Sequence, residues 1–216
     1  MIVVGSVIVL ALFLVVGWAV STEMFQQRAW RRRVQSGDVA IVAAILEEGM
    51  GTWRRSRPPR EFPSSLWAGV QGAQLVAVAE DMATVSAAAE AEFRTEGGAR
   101  VQVSSALDQA TALAAKLVDM LLYDVPNLRL RAVRVDVYST FMEHDGRAVQ
   151  RPILTTTAER AEADRLTWEA LTPAEILRRF RTVYERGPGG LGLPIQIPPV
   201  AGGPPEAETS PAGETA

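Results

Sequence analysis

The chain has 216 residues, a net charge of −3 and no cysteine. That composition excludes a disulfide framework and thiolate chemistry, and a single histidine leaves no zinc-type ligand set. A nucleic-acid binder would want a basic body, whereas here the arginines gather near the N-terminal end and the rest is acidic, so no nucleic-acid partner is expected.

Residues 2–20 read IVVGSVIVLALFLVVGWAV, nineteen residues without a charge. As a helix they would span roughly 28 Å, close to the hydrocarbon thickness of a bilayer. A cleaved signal peptide would want a basic segment ahead of the apolar run, and none precedes it. A buried core helix is rarely uncharged on every face for this length. Residues 1–21 are therefore expected to be a single transmembrane anchor in the lipid bilayer.

Arg28, Arg31, Arg32 and Arg33 follow the span, and arginine excess marks the cytoplasmic side. The expected topology puts the N-terminus outside and the remainder in the cytoplasm. Trp18 and Trp30 suit the two edges of the interface, so these six residues are the candidate membrane-interface set.

Residues 22–62 read as a basic juxtamembrane helical segment and linker. Ser36 is an expected helix cap, Val39, Val42, Ala43, Leu46 and Met50 give an apolar stripe, and Gly51 is the expected end. Trp53, Arg54, Arg55 and Arg57 then precede two prolines. The bland reading of this run is a solvated linker; the functional one is contact with lipid phosphate or a partner.

Residues 63–186 are expected to form one α+β domain. A short helix begins near Ser64, and a strand covers AQLVAVA. Val85, Ala87, Ala89, Ala91 and Phe93 alternate with polar or small residues, which predicts one strand turning at Gly97-Gly98 and returning over residues 100–103. Ser105 and Asp108 open the best amphipathic helix, with Ala110, Leu113, Ala114, Leu117 and Leu121 on one face. Val133, Val135 and Val137 start a second hairpin that turns at Asp145-Gly146 and returns over residues 147–157, where Pro152 signals an edge or a bulge.

Two helices are then expected, over residues 159–170 and from the Thr172-Pro173-Ala174-Glu175 start signal. Ile176, Leu177, Phe180, Val183 and Tyr184 would be the buried face of the second. The expected order is β-β-α-β-β-α: an antiparallel sheet of two hairpins, with helices on one face covering Val85, Phe93, Val133, Val135 and Val137. Residues 187–216 are rich in proline and glycine and read as a disordered tail, with one apolar stretch, Leu191 to Val200, that can dock as an extended strand or serve as a peptide ligand.

No catalytic, metal or cofactor motif emerges. Glu143, His144 and Asp145 sit together, but three consecutive residues in a tight turn do not converge on one ion. Glu90, Glu92, Arg94, Arg134 and Asp136 fall on the polar sides of two strands, where opposite charges can pair across an open sheet face. The expectation is a non-enzymatic interaction or scaffold module with another protein as partner. Its rivals are an enzyme using Glu90, Glu92 or Asp136, and an extracytoplasmic domain if the topology is inverted.

Overall fold

The computed structural model describes residues 38–199 apart from positions 61, 80 and 127. The expected anchor and its arginine collar lie outside the described residues. Among the described residues, no helix is long and apolar enough to cross a membrane.

Helix α1 (Val39–Arg55) starts at Asp38, whose carboxylate accepts from the Ala40 amide at 3.1 Å. Asp38 is thus the cap rather than a first-turn residue; the expected cap, Ser36, lies outside the described residues. The helix runs through Gly51 instead of ending there, because Val42, Ile45, Leu46, Met50 and Trp53 all bury along one stripe. That stripe packs on α2 (Ser64–Gln71) and β1 (Gln74–Val78). Residues 39–55, within the segment expected to be a juxtamembrane helix and linker, thus share the core of the residues that follow.

Among the described residues the larger sheet has six strands, in the order β1, β2 (Met82–Ala88), β5 (Ala132–Met142), β6 (Ala148–Glu159), β7 (Arg181–Arg186) and β8 (Gly192–Leu193). Strand β2 pairs antiparallel with β1 but parallel with β5. The sheet is mixed, not antiparallel as expected. The parallel pair needs a crossover, and α3 (Ala106–Asp119) supplies it, lying across β5 and β6. Its cap is as read: the Ser105 hydroxyl accepts from the Asp108 amide at 3.1 Å. Leu113, Leu117 and Leu121 bury against Val133, Val135 and Val137, and α2 and α5 (Pro173–Leu177) pack on α3. A π turn, Met120–Asp124, extends the helix.

The β5–β6 hairpin matches its sequence signature, with Gly146 at φ +80°. Pro152 sits at a bulge: Val137 faces Leu154, whereas Tyr138 faces Pro152, leaving Ile153 extra. Here a residue without an amide proton costs the ladder least.

Three expectations fail locally. The strand from Ala83 stops at Ala88, and β3 (Glu92–Glu96) and β4 (Ala99–Ser104) form a separate two-stranded ribbon. Phe93 goes with it into solvent rather than under a helix. The helix expected over residues 159–170 breaks into two short pieces, α4 (Arg160–Ala163) and a 3-10 turn at Trp168–Ala170, with Glu159 still in β6.

The third failure follows the Thr172 start signal. The cap is real, but α5 lasts five residues and gives way to β7 (Arg181–Arg186). Thr182, Val183 and Tyr184 favour a pleated surface, and Thr182 ends the helix by donating to the Leu177 carbonyl at 2.7 Å. Ile176, Leu177 and Phe180 are buried as expected, but Val183 and Tyr184 are exposed.

After β7 the chain does not leave the fold at residue 187. Strand β8 (Gly192–Leu193) pairs with β7, the Ile195 amide donates to the Pro152 carbonyl at 2.9 Å, and Arg134 donates to the Pro198 carbonyl at 2.8 Å. The apolar stretch docks as an extended segment on the sheet face opposite the helices.

Candidate docking site

Arg134 and Asp136 were expected on an open polar face. Alternation along β5 does put them opposite Val133 and Val135, but the docked segment covers them. The Arg134 Nε donates to Asp136 Oδ1 at 2.9 Å, and Thr155 Oγ1 donates to the same oxygen at 2.5 Å. Both side chains are under one-tenth exposed. The pair is structural, and it faces neither Glu90 nor Glu92.

Glu90 and Glu92 lie where the chain leaves β2 for the ribbon. Glu90 accepts from the Thr140 amide at 2.9 Å and the Ser139 hydroxyl at 3.1 Å, tying the end of β2 to β5. Glu92 accepts from Ser65 on α2 at 3.2 Å and from Gln109 on α3 at 3.1 Å. All four donors are neutral, and neither carboxylate has an ion-pair partner among the described residues. Arg94, expected to pair across the sheet, instead lies 3.9 Å from Glu96 on the ribbon.

These two carboxylates border a groove of about 470 Å³. Its walls are α2, the end of β2, the start of β3 and the first half of α3. The lining is small: Ala68, Gly69, Gly72, Ala88, Ala89 and Ala91, with Leu66, Phe93 and Leu113 as the larger apolar members. Gly69 lets α2 close on α3, since a Cβ there would sit 2.7 Å from Leu113. A second groove, of about 530 Å³, runs between Phe62, α3 and Ile176. Of its charged lining residues, Lys116 lies 2.8 Å from Asp119 with its ammonium over the Phe62 ring, and Glu169 is the other.

The ribbon rises beside the first groove. Phe93, Val101 and Val103 are each more than two-fifths exposed. Among the described residues only β4 pairs with β3, so no described strand covers the other edge of β3. The groove touches Glu92 and Phe93 at the start of β3 and no residue of β4.

The other candidates do not gather here. Trp53 is buried against the core and its segment is pinned by Gln71, which donates to the Arg54 and Ser56 carbonyls at 3.1 and 3.0 Å. Its side chain belongs to the hydrophobic core. Arg54 is spent on the Ala73 carbonyl at 3.1 Å and on Glu47 at 3.4 Å, leaving Arg55 and Arg57 exposed. Glu143 pairs with Arg147 and Arg151, and Asp145 pairs with Arg147, around the turn that holds His144. Trp18, Arg28, Trp30, Arg31, Arg32 and Arg33 lie outside the described residues.

Among the described residues, no group of three histidine or carboxylate side chains is placed to hold a metal. The Tyr123 phenol is pushed up to about 12, by burial first and then by its hydrogen bond to Asp164 and that group's charge, so it stays protonated at neutral pH. The groove and the ribbon beside it offer hydrogen-bond acceptors, negative charge, apolar walls and a strand edge that no described strand covers. Those are the parts of a recognition site. Ser65 and Gln109 escaped sequence reading because nothing local links them to Glu92, 27 and 17 residues away.

No known protein family, curated protein or solved structure matches the chain.

Proposed function

We propose that the protein is a single-pass membrane-anchored module whose α+β domain faces the cytoplasm and docks a partner protein, without chemistry of its own. The anchor rests on the uncharged run over residues 2–20 and the arginines after it. The observation that carries the docking role is the β3–β4 ribbon. A two-stranded hairpin is marginal in water by itself, yet this one holds Phe93, Val101 and Val103 in solvent beside an open strand edge. The register sets Phe93 on one face of the ribbon with Gln102, and Val101 and Val103 on the other with Arg94, so both faces carry exposed apolar surface, a liability unless a partner uses it.

Two measurements test this. A reporter active only in the cytoplasm, fused after Ala216, should be active; an inactive one overturns the orientation. A photo-crosslinking residue placed at Val101 should trap one discrete partner in cells, whereas the same probe at Val76, an exposed apolar position on β1, should not. Equal labelling at both positions would remove the ribbon from the docking role.

A further inference from the structure

Granting the docking role, we infer that the partner offers an extended segment that adds to the open edge of β3 and carries basic side chains, alternating with apolar ones, for Glu92 and Glu90. Three observations converge on this occupant. The edge of β3 that no described strand covers offers backbone donors and acceptors, which a strand satisfies and a helix does not. The groove at the start of β3 is walled by alanine and glycine, so the side chains that enter it have room to be long.

The third observation is charge. Glu92 is held by Ser65 and Gln109, and Glu90 by Ser139 and the Thr140 amide, so both carboxylates are fixed in place with their charge uncompensated. A guanidinium or ammonium group supplies what these neutral donors do not, at a position already ordered. The same two carboxylates repel a phosphate, a fatty acid or an acidic peptide. Side chains on a strand alternate between its faces, so a segment of alternating basic and apolar residues aims one set at the carboxylates.

The test uses the full chain in neutral nanodiscs and a labelled, end-blocked hexapeptide of alternating valine and arginine, followed by fluorescence anisotropy. The valine–arginine peptide should bind. Its valine–glutamate counterpart should bind at least about tenfold more weakly, a gap expected when charge-assisted hydrogen bonds are lost. Glu92→Gln keeps an oxygen for Ser65 and Gln109, Glu90→Gln keeps one for the Thr140 amide and can donate to the Ser139 hydroxyl, and each should weaken binding by about threefold to tenfold. Glu48→Gln on α1 should change nothing. Methylating alternate peptide amides should also weaken binding, because an edge strand needs those donors.

Equal binding of the two peptides, or wild-type affinity in both glutamine variants, overturns the charge assignment. An unaffected methylated peptide overturns the added strand. If every peptide fails while crosslinking at Val101 persists, the docking role stands and this mode of docking falls.

Discussion

Arg134 and Asp136 form an ion pair at 2.9 Å on the face of β5 that turns away from the helices, roofed by the carbonyl of Pro198. A dry ion pair is costly to break from one side, because the survivor keeps its charge without its partner. Arg134→Ala should therefore lower stability by about 3 to 5 kcal/mol. Replacing both residues by apolar ones of similar size, Arg134→Met with Asp136→Leu, should recover most of that loss. Denaturant melts of the two variants check this; a loss under about 1 kcal/mol in the single variant would mean that water reaches the pair.

The roof gives a second prediction. A chain ended after Gly190 loses the burial of Ile195 and the Pro198 carbonyl, and should lose about 1.5 to 3 kcal/mol from the isoleucine side chain alone. Amide exchange along β5 near Arg134 should rise with it. A chain ended after Pro199 keeps every one of these contacts and should melt as the full chain does. If the two truncations melt alike, the docked segment adds nothing to the fold.

What could be read ahead of the structure depended on range. Helix α3 was legible because its apolar period and its Ser105 cap lie within a few residues of one another. The β5–β6 hairpin was legible for the same reason, through the Asp145-Gly146 turn. The parallel pairing of β2 with β5 was not, since it joins strands separated by a ribbon and a helix. Alternation along β5 correctly put Arg134 opposite Val133. It could not say that residues 191–199 return to cover that face, so a buried pair read as a solvated one. The run from Val85 to Phe93 kept its alternation while the backbone left the sheet, because alanine suits either path. In the groove, Glu92 was visible as a candidate, but its partners on α2 and α3 were not.

The contrast between Leu117 and Phe93 tests the core directly. Both read as apolar core positions; Leu117 has no exposed surface, while Phe93 is 43% exposed. Leu117→Ala should cost about 2 to 5 kcal/mol, the range for emptying a packed leucine site. Phe93→Ser should stay within about 0.5 kcal/mol, as surface changes do. It also forfeits the contact with Arg100, whose guanidinium lies 4.1 Å from the ring centre, and exposed contacts of that kind are weak. A large loss for Phe93→Ser would place the ribbon inside the cooperative unit and argue against its being a free docking element.

The cap of α5 carries a pH signature. The Glu175 carboxylate accepts from the Thr172 hydroxyl at 2.7 Å and from the Thr172 amide at 2.8 Å, and those bonds hold its pKa below the ordinary glutamate value of 4.5. A carboxyl whose pKa is lower folded than unfolded releases its proton more readily in the native state. Its stabilisation is therefore full above the unfolded value and disappears as pH falls through the folded one. Glu175→Gln should melt below the wild type at pH 7, and the gap should close as pH falls below the ordinary value of 4.5 and on through the lowered folded one, where the wild-type carboxyl protonates. Thr172→Ala removes the acceptor for the Glu175 amide as well, so it should lower Tm at neutral pH by about 2 to 4 °C. Part of that deficit should survive at low pH, because the threonine hydroxyl caps the helix whatever the charge on Glu175. Melting curves of the two variants from pH 7 to pH 3 separate these contributions. A Glu175→Gln deficit that widens toward acid would reverse the sign required by a lowered pKa and rule out the reciprocal cap as its source.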